Sequence, residues 1–121
     1  MCLRGASAFE KALEKLPDAR VIVFAVWEPI LPTDWMPPTT GALGRLSDRR
    51  IKQFWDKNHR LAKLMADGRV GQLQPDCCNR NGILWDLIAV YPEGAEWREV
   101  LPRATVFNGP VVRVMQSSKV L

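Results

Sequence analysis

Eight consecutive residues, Arg20-Val21-Ile22-Val23-Phe24-Ala25-Val26-Trp27, constrain the fold of this chain more than any other stretch. Apart from Arg20 the run is apolar at every position, so both sets of alternating side chains need cover, and its β-branched residues favour an extended backbone. A strand of that kind sits in a parallel sheet with helices on each side, which predicts an α/β or α+β class with a mixed sheet. The run is also the longest apolar stretch in the chain, far short of the ~20 residues a membrane span needs. Met1-Cys2-Leu3-Arg4-Gly5 lacks the charged-then-apolar order of a signal peptide. With 121 residues, 47% hydrophobic and 25% charged, the expectation is a single cytoplasmic domain over 1–121 with no membrane partner.

Around this strand the other elements fall into place by periodicity. Phe9, Ala12, Leu13 and Leu16 are spaced for one helical face, Glu10, Lys11, Glu14 and Lys15 for the other, and Pro17 stops the run. This predicts a first helix over roughly 6 to 16. Ser7 and Glu10 could form its capping box, while a start nearer Cys2 is equally open. Residues 28–38 contain four prolines together with Trp35, and read as a packed functional loop in which Trp27 and Trp35 serve as packing. A second helix is predicted from Ser47 to Gly68, with Ile51, Phe54, Trp55, Leu61, Ala62 and Met65 as its buried stripe. Residues 45–63 hold seven basic and two acidic residues, a local +5 that accounts for the chain's net +4. Asn81-Gly82 closes a loop before a strand from Ile83 to Tyr91, apolar except for Asp86. The final prediction is a hairpin around Asn108-Gly109, with strands at 104–107 and 111–114.

Few side chains carry chemistry. Three cysteines, two of them adjacent, make no secreted disulfide framework. Cys77-Cys78 can close on itself or offer two thiolates to a soft cation such as Hg(II), Cu(I), Zn(II) or As(III), although two sulfurs do not complete a four-ligand zinc site. His59 shares a helical face with Lys52, Asp56 and Lys63, and is expected to be solvated and paired with Asp56. Phe54 and Trp55 on the buried stripe leave no stacking platform, so nucleic acid is disfavoured as a partner of the basic face. No phosphate-binding glycine loop, metalloprotease helix or nucleophile elbow is present.

Two short segments resemble the thioredoxin-like fold. Cys2-Leu3-Arg4-Gly5 ahead of an amphipathic helix looks like the second half of a Cys-x-x-Cys site, and Val21 to Trp27 like the parallel strand that follows. Leu101-Pro102-Arg103-Ala104-Thr105-Val106-Phe107-Asn108-Gly109 is similar to the segment in which a cis-proline enters the antiparallel hairpin. Trp27-Glu28-Pro29, Thr33-Asp34-Trp35 and Cys77-Cys78 look like a divergent bacterial branch. The resemblance implies a thioredoxin-like three-layer α/β domain with a mixed sheet, lacking its first core strand. The nucleophilic first cysteine would fall before Met1. An unpaired sheet centre exposes strand edges, a route to a homodimer. It further implies thiol-disulfide exchange or thiol-based redox sensing on protein thiols or disulfides. Cys2 would sit at the helix mouth, where the dipole favours its thiolate, with Pro102 beside it and Cys77 and Cys78 as a second thiol pair. Trp27 and Glu28, at the carboxyl end of the strand, would border the site. The alternative is a non-catalytic binding module in which Cys77 and Cys78 hold a soft metal ion or a protein partner.

Overall fold

A computed structural model describes residues 3–31, 33–67, 75 and 77–117 and shows a mixed α/β chain. It divides into two compact units, Met1–Arg60 and Leu61–Leu121.

The first unit begins with helix α1 (Leu3–Glu14), whose capping box does not form. Ser7 Oγ instead accepts from Arg45 Nη1 at 3.0 Å, and Glu10 Oε1 accepts from Ser47 Oγ at 2.8 Å. Both polar side chains of the expected cap therefore fasten α1 to the segment before the second strand. Strand β1 (Val23–Trp27) follows. The long connection leads to a short helix α2 (Thr40–Leu43), where Thr39 Oγ1 accepts the Ala42 N–H and supplies the N-cap. Strand β2 (Ile51–Trp55) then pairs parallel to β1, Val23 opposite Ile51 and Trp27 opposite Trp55.

The expected helix over 47–68 is thus replaced by a strand, a turn and helix α3 (Arg60–Ala66); its predicted end at Gly68 lies outside the described residues. The physical reason is visible at His59, whose backbone takes φ 55, a left-handed conformation no continuous right-handed helix admits. Upstream of it, Ile51, Phe54 and Trp55 have the β-branched and aromatic character that fits a pleated surface once a partner strand is available. The buried stripe dissolves accordingly: Phe54 is exposed, and Ile51 and Trp55 are half-buried.

Strand alternation gives the β1–β2 pair two unlike faces. Val23, Ala25 and Trp27 with Ile51, Gln53 and Trp55 are half-buried or buried, and Leu13, Ala42 and Leu46 complete the core of this unit. The opposite face carries exposed Phe24, Lys52 and Phe54. The expectation that β1 is covered on both sides is corrected at Phe24.

Arg50 closes the unit. Its Nη1 donates to the carbonyls of Leu16 and Ala19 at 2.7 and 2.9 Å, and its Nη2 to that of Leu13 at 3.1 Å. Asp48 holds the same guanidinium through two carboxylate oxygens. A cation thereby serves the Leu13 carbonyl in the last turn of α1, where the helix dipole favours positive charge, and two carbonyls of the bend after it.

The described residues of the second unit form two antiparallel pairs. Strands β3 (Asn79–Arg80) and β4 (Ile83–Leu84) form a hairpin whose turn residues, Asn81 and Gly82, both have positive φ, as the Asn-Gly pair leads one to expect. The strand expected over 83–91 breaks at Asp86, itself at φ 50, into β4 and β5 (Ile88–Val90). Strand β6 (Val106–Asn108) pairs with β5, and Thr105 extends the ladder through its N–H and hydroxyl to the Val90 carbonyl.

The hairpin expected around Asn108-Gly109 does not form: residues 111–116 are helix α4 (Val111–Gln116). Pro110 follows the Asn-Gly pair, brings no N–H to a ladder and initiates a helix well. The peptide before it, Gly109–Pro110, is cis. Among the described residues of this unit Ala62, Cys78, Leu84, Ile88 and Val114 are the buried hydrophobic side chains.

Candidate functional site

Cys77 and Cys78 are joined to each other in a vicinal disulfide. Their surroundings come from three elements of the second unit. Cys78 lies immediately before β3, at φ 73, and its carbonyl accepts the Trp85 N–H at 2.9 Å, which continues the β3–β4 ladder by one pair. Cys78 is buried, whereas Cys77 is only partly so. Against the Cys78 sulfur lies Gly109: a Cβ placed there would come within 3.2 Å of Sγ and would run into the Asp86 carbonyl oxygen. Only glycine permits this approach of β6's end to the disulfide.

Asp86 completes the arrangement. Its Oδ1 accepts the Val111 N–H at 3.2 Å, satisfying a donor in the first turn of α4, while its backbone carbonyl faces Gly109. The single polar residue in an apolar run, noted in the sequence, is therefore a connector between the β4–β5 break and the start of α4. Gly109, as a neighbour of the Cys78 sulfur, and Asp86, behind it, were not legible as parts of this site. The signal for them was the Asn108-Gly109-Pro110 run, which reads equally well as a hairpin turn.

The other predicted site residues are placed as follows. Cys2 lies outside the described residues. Pro102 precedes β6 in an irregular segment with a trans peptide bond, and the cis X-Pro bond among the described residues is Gly109–Pro110. Trp27 is buried, and its Nε1–H donates to Gln53 Oε1 at 2.7 Å. Gln53 in turn donates to the carbonyls of Leu43 and Leu46. Trp27 thus packs, whereas Trp35, expected to pack as well, is exposed.

Glu28 does leave the carboxyl end of β1. There its Oε2 lies 2.9 Å from Nδ1 of His59, with both side chains largely buried. Burial pushes the Glu28 carboxyl above its ordinary range; the hydrogen bond and charge of His59 pull it back, and Asp56 adds to the rise. The expected His59–Asp56 pairing is corrected: the helix that would have aligned them is absent, and Asp56 Oδ1 accepts the Arg60 N–H. The Glu28–His59 pair belongs to the first unit and the cysteine pair to the second.

Among the described residues no group of three or more His, Cys, Asp or Glu side chains converges as a metal site. No helix among them is long and apolar enough to cross a membrane. Fold and side chains together define a mixed α/β chain carrying a vicinal disulfide. No protein-family model, curated protein or solved structure matches it.

Proposed function

We propose that the chain is a thiol-disulfide protein whose working group is the Cys77–Cys78 pair, a two-electron centre that exchanges with thiols and disulfides of protein partners. The observation that carries this reading is the disulfide itself, with a partly exposed Cys77 and a buried Cys78. A partner thiolate attacks the Cys77 sulfur, the sulfur–sulfur bond breaks, and Cys78 leaves as a thiolate that takes up a proton. A second partner thiol then resolves the mixed disulfide, so that two partner thiols are oxidised to one disulfide and Cys77 and Cys78 are both reduced. The reverse sequence makes the pair a sensor of oxidising conditions. The thioredoxin-like reading is kept within this proposal: helix α1 followed by the parallel strand β1, and an antiparallel pair later in the chain, agree with it.

The test is alkylation and intact-mass analysis after equilibration across a series of reduced-to-oxidised glutathione ratios. Two thiols appearing together, and abolished by Cys77→Ser/Cys78→Ser, support the proposal. A pair that keeps one state across the whole series sinks it.

A second reading is favoured by the adjacency of the two sulfurs. Once reduced, they form a two-sulfur donor set suited to Hg(II) or Cu(I). Zn(II) would need further ligands from outside the described residues. Titration of the reduced chain with Hg(II), compared with the double serine variant, reads this directly.

A further inference from the structure

We infer that the open face of the β1–β2 sheet is a docking site for single-stranded nucleic acid, with Phe24 and Phe54 as its stacking platform. This inference is independent of the cysteine chemistry. Phe24 and Phe54 are 63% and 50% exposed, and Ile22 just before β1 is 74% exposed. The two rings stand side by side on neighbouring strands, centroids 6.0 Å apart and tilted by 48°. Lys52, also exposed, lies in register with Phe24, and Phe54 in register with Val26. Aromatic side chains on one sheet face, interleaved with a cation, are what unstacked bases and their phosphates use: the rings take the base faces and the ammonium a phosphate oxygen.

Charge selects this occupant over another protein surface. Arg49 and Lys57, both exposed, bracket β2 at either end. Arg49 lies within electrostatic reach of Asp48, whereas among the described residues neither Lys52 nor Lys57 has a carboxylate partner. The first unit holds ten basic and seven acidic residues. A second copy of the chain laid on the same face would bring the two Lys52 ammoniums toward one apolar contact, where like charges repel. A polyanion with aromatic bases satisfies both the rings and the cations. Duplex DNA satisfies only the cations, because its bases are already stacked on one another.

On a helix over 47–68 Phe54 would lie on a buried stripe, and no such platform would exist. The strand conformation of 51–55 overturns that exclusion.

The experiment is fluorescence anisotropy with labelled (dT)15, (rU)15 and a 15-base-pair duplex, using the whole chain, at several salt concentrations. The expected result is binding of at least one single strand in preference to the duplex, the (dT)15 and (rU)15 arms showing whether DNA or RNA is favoured. Phe24→Leu and Phe54→Leu, which keep apolar bulk and lose the ring, are each expected to weaken binding on the order of tenfold. Lys52→Ala should lower the salt dependence by about one counterion. Circular dichroism of each variant confirms that these exposed positions leave the fold intact. Equal binding of duplex and single strand, unchanged affinity in the leucine variants, or no binding at low salt would each overturn the proposal. Sedimentation showing a dimer that the leucine variants leave intact and Lys52→Glu strengthens would assign the face to a second copy, and overturns it as well.

Discussion

Replacing Gly109 by alanine tests how closely the second unit is built around its disulfide. The added methyl group would meet the Asp86 carbonyl oxygen, with the Cys78 sulfur 3.2 Å away. Neither neighbour yields easily. The carbonyl belongs to backbone held at φ 50, with the carboxylate of the same residue bound to the first turn of α4, and Cys78 is tied to Cys77 and to Trp85. Overpacking of this kind costs about 1–3 kcal/mol, and a rigid backbone opponent places Gly109→Ala at the upper end, about 2–3 kcal/mol, or roughly 30- to 160-fold in the opening equilibrium. Amide hydrogen exchange at Ile88–Val90 and Val106–Asn108 reads that equilibrium within the second unit itself. Gly82→Ala is the reference: its φ of 75 disfavours a side chain, yet nothing lies within 4 Å, so it should cost only about 1 kcal/mol. Protection in Gly109→Ala within 0.5 kcal/mol of the parent, alongside a normal loss in Gly82→Ala, would refute the close approach.

Three further outcomes are expected. Leu13 is fully buried in α1, so Leu13→Ala should destabilise the first unit by about 2–5 kcal/mol in denaturant unfolding, and a loss under 1 kcal/mol would contradict its place in the core. The hydrogen bonds from Arg50 hold the Asp48 carboxyl down at about 2; its contribution is therefore complete above pH 3.8 and is lost as pH falls toward 2, and carbon-detected NMR titration should return Asp48 to the ordinary range in Arg50→Met. Glu28 is shifted the other way, so the stability it lends is full at low pH and declines as pH rises through its raised value; Glu28→Gln should flatten that decline above pH 4.5 in a series of thermal melts, and an unchanged slope would remove Glu28 as its source.

What could be read in the sequence follows the range of the interactions involved. Helix α1 announces itself through local periodicity, and the β3–β4 turn through Asn81-Gly82, whose positive φ values need no distant partner. Strand β1 was equally plain because an all-apolar run of that length has few alternatives. Strand β2 was hidden, since Ile51-Lys52-Gln53-Phe54-Trp55 acquires its conformation from pairing with residues 28 positions earlier. The polar turn Lys57-Asn58-His59 inside the supposed helix was the local warning. At Asn108-Gly109 the turn signal was sound for a hairpin but was overridden by the proline that follows it. Within the candidate site the cysteine pair is visible to any reader, whereas Asp86 and Gly109 are joined to it only by tertiary contacts. Glu28 was found by its position at a strand end, and its partner His59 was missed because helical phase pointed it elsewhere.

The reach of Arg50 has a consequence for how the first unit comes into being. The carbonyls of Leu13, Leu16 and Ala19 are all held by a side chain that lies 31 to 37 residues further along the chain. Any N-terminal fragment that stops short of residue 50 therefore leaves these carbonyls with only their local partners, the N–H groups of Leu16, Ala19 and Val21. On the ribosome, α1 would emerge as an amphipathic helix without its clasp and would be fastened only as the second parallel strand arrives. Helix, bend and strand pair are thus expected to become protease-resistant in one step, timed by the appearance of one guanidinium rather than by the completion of the helix.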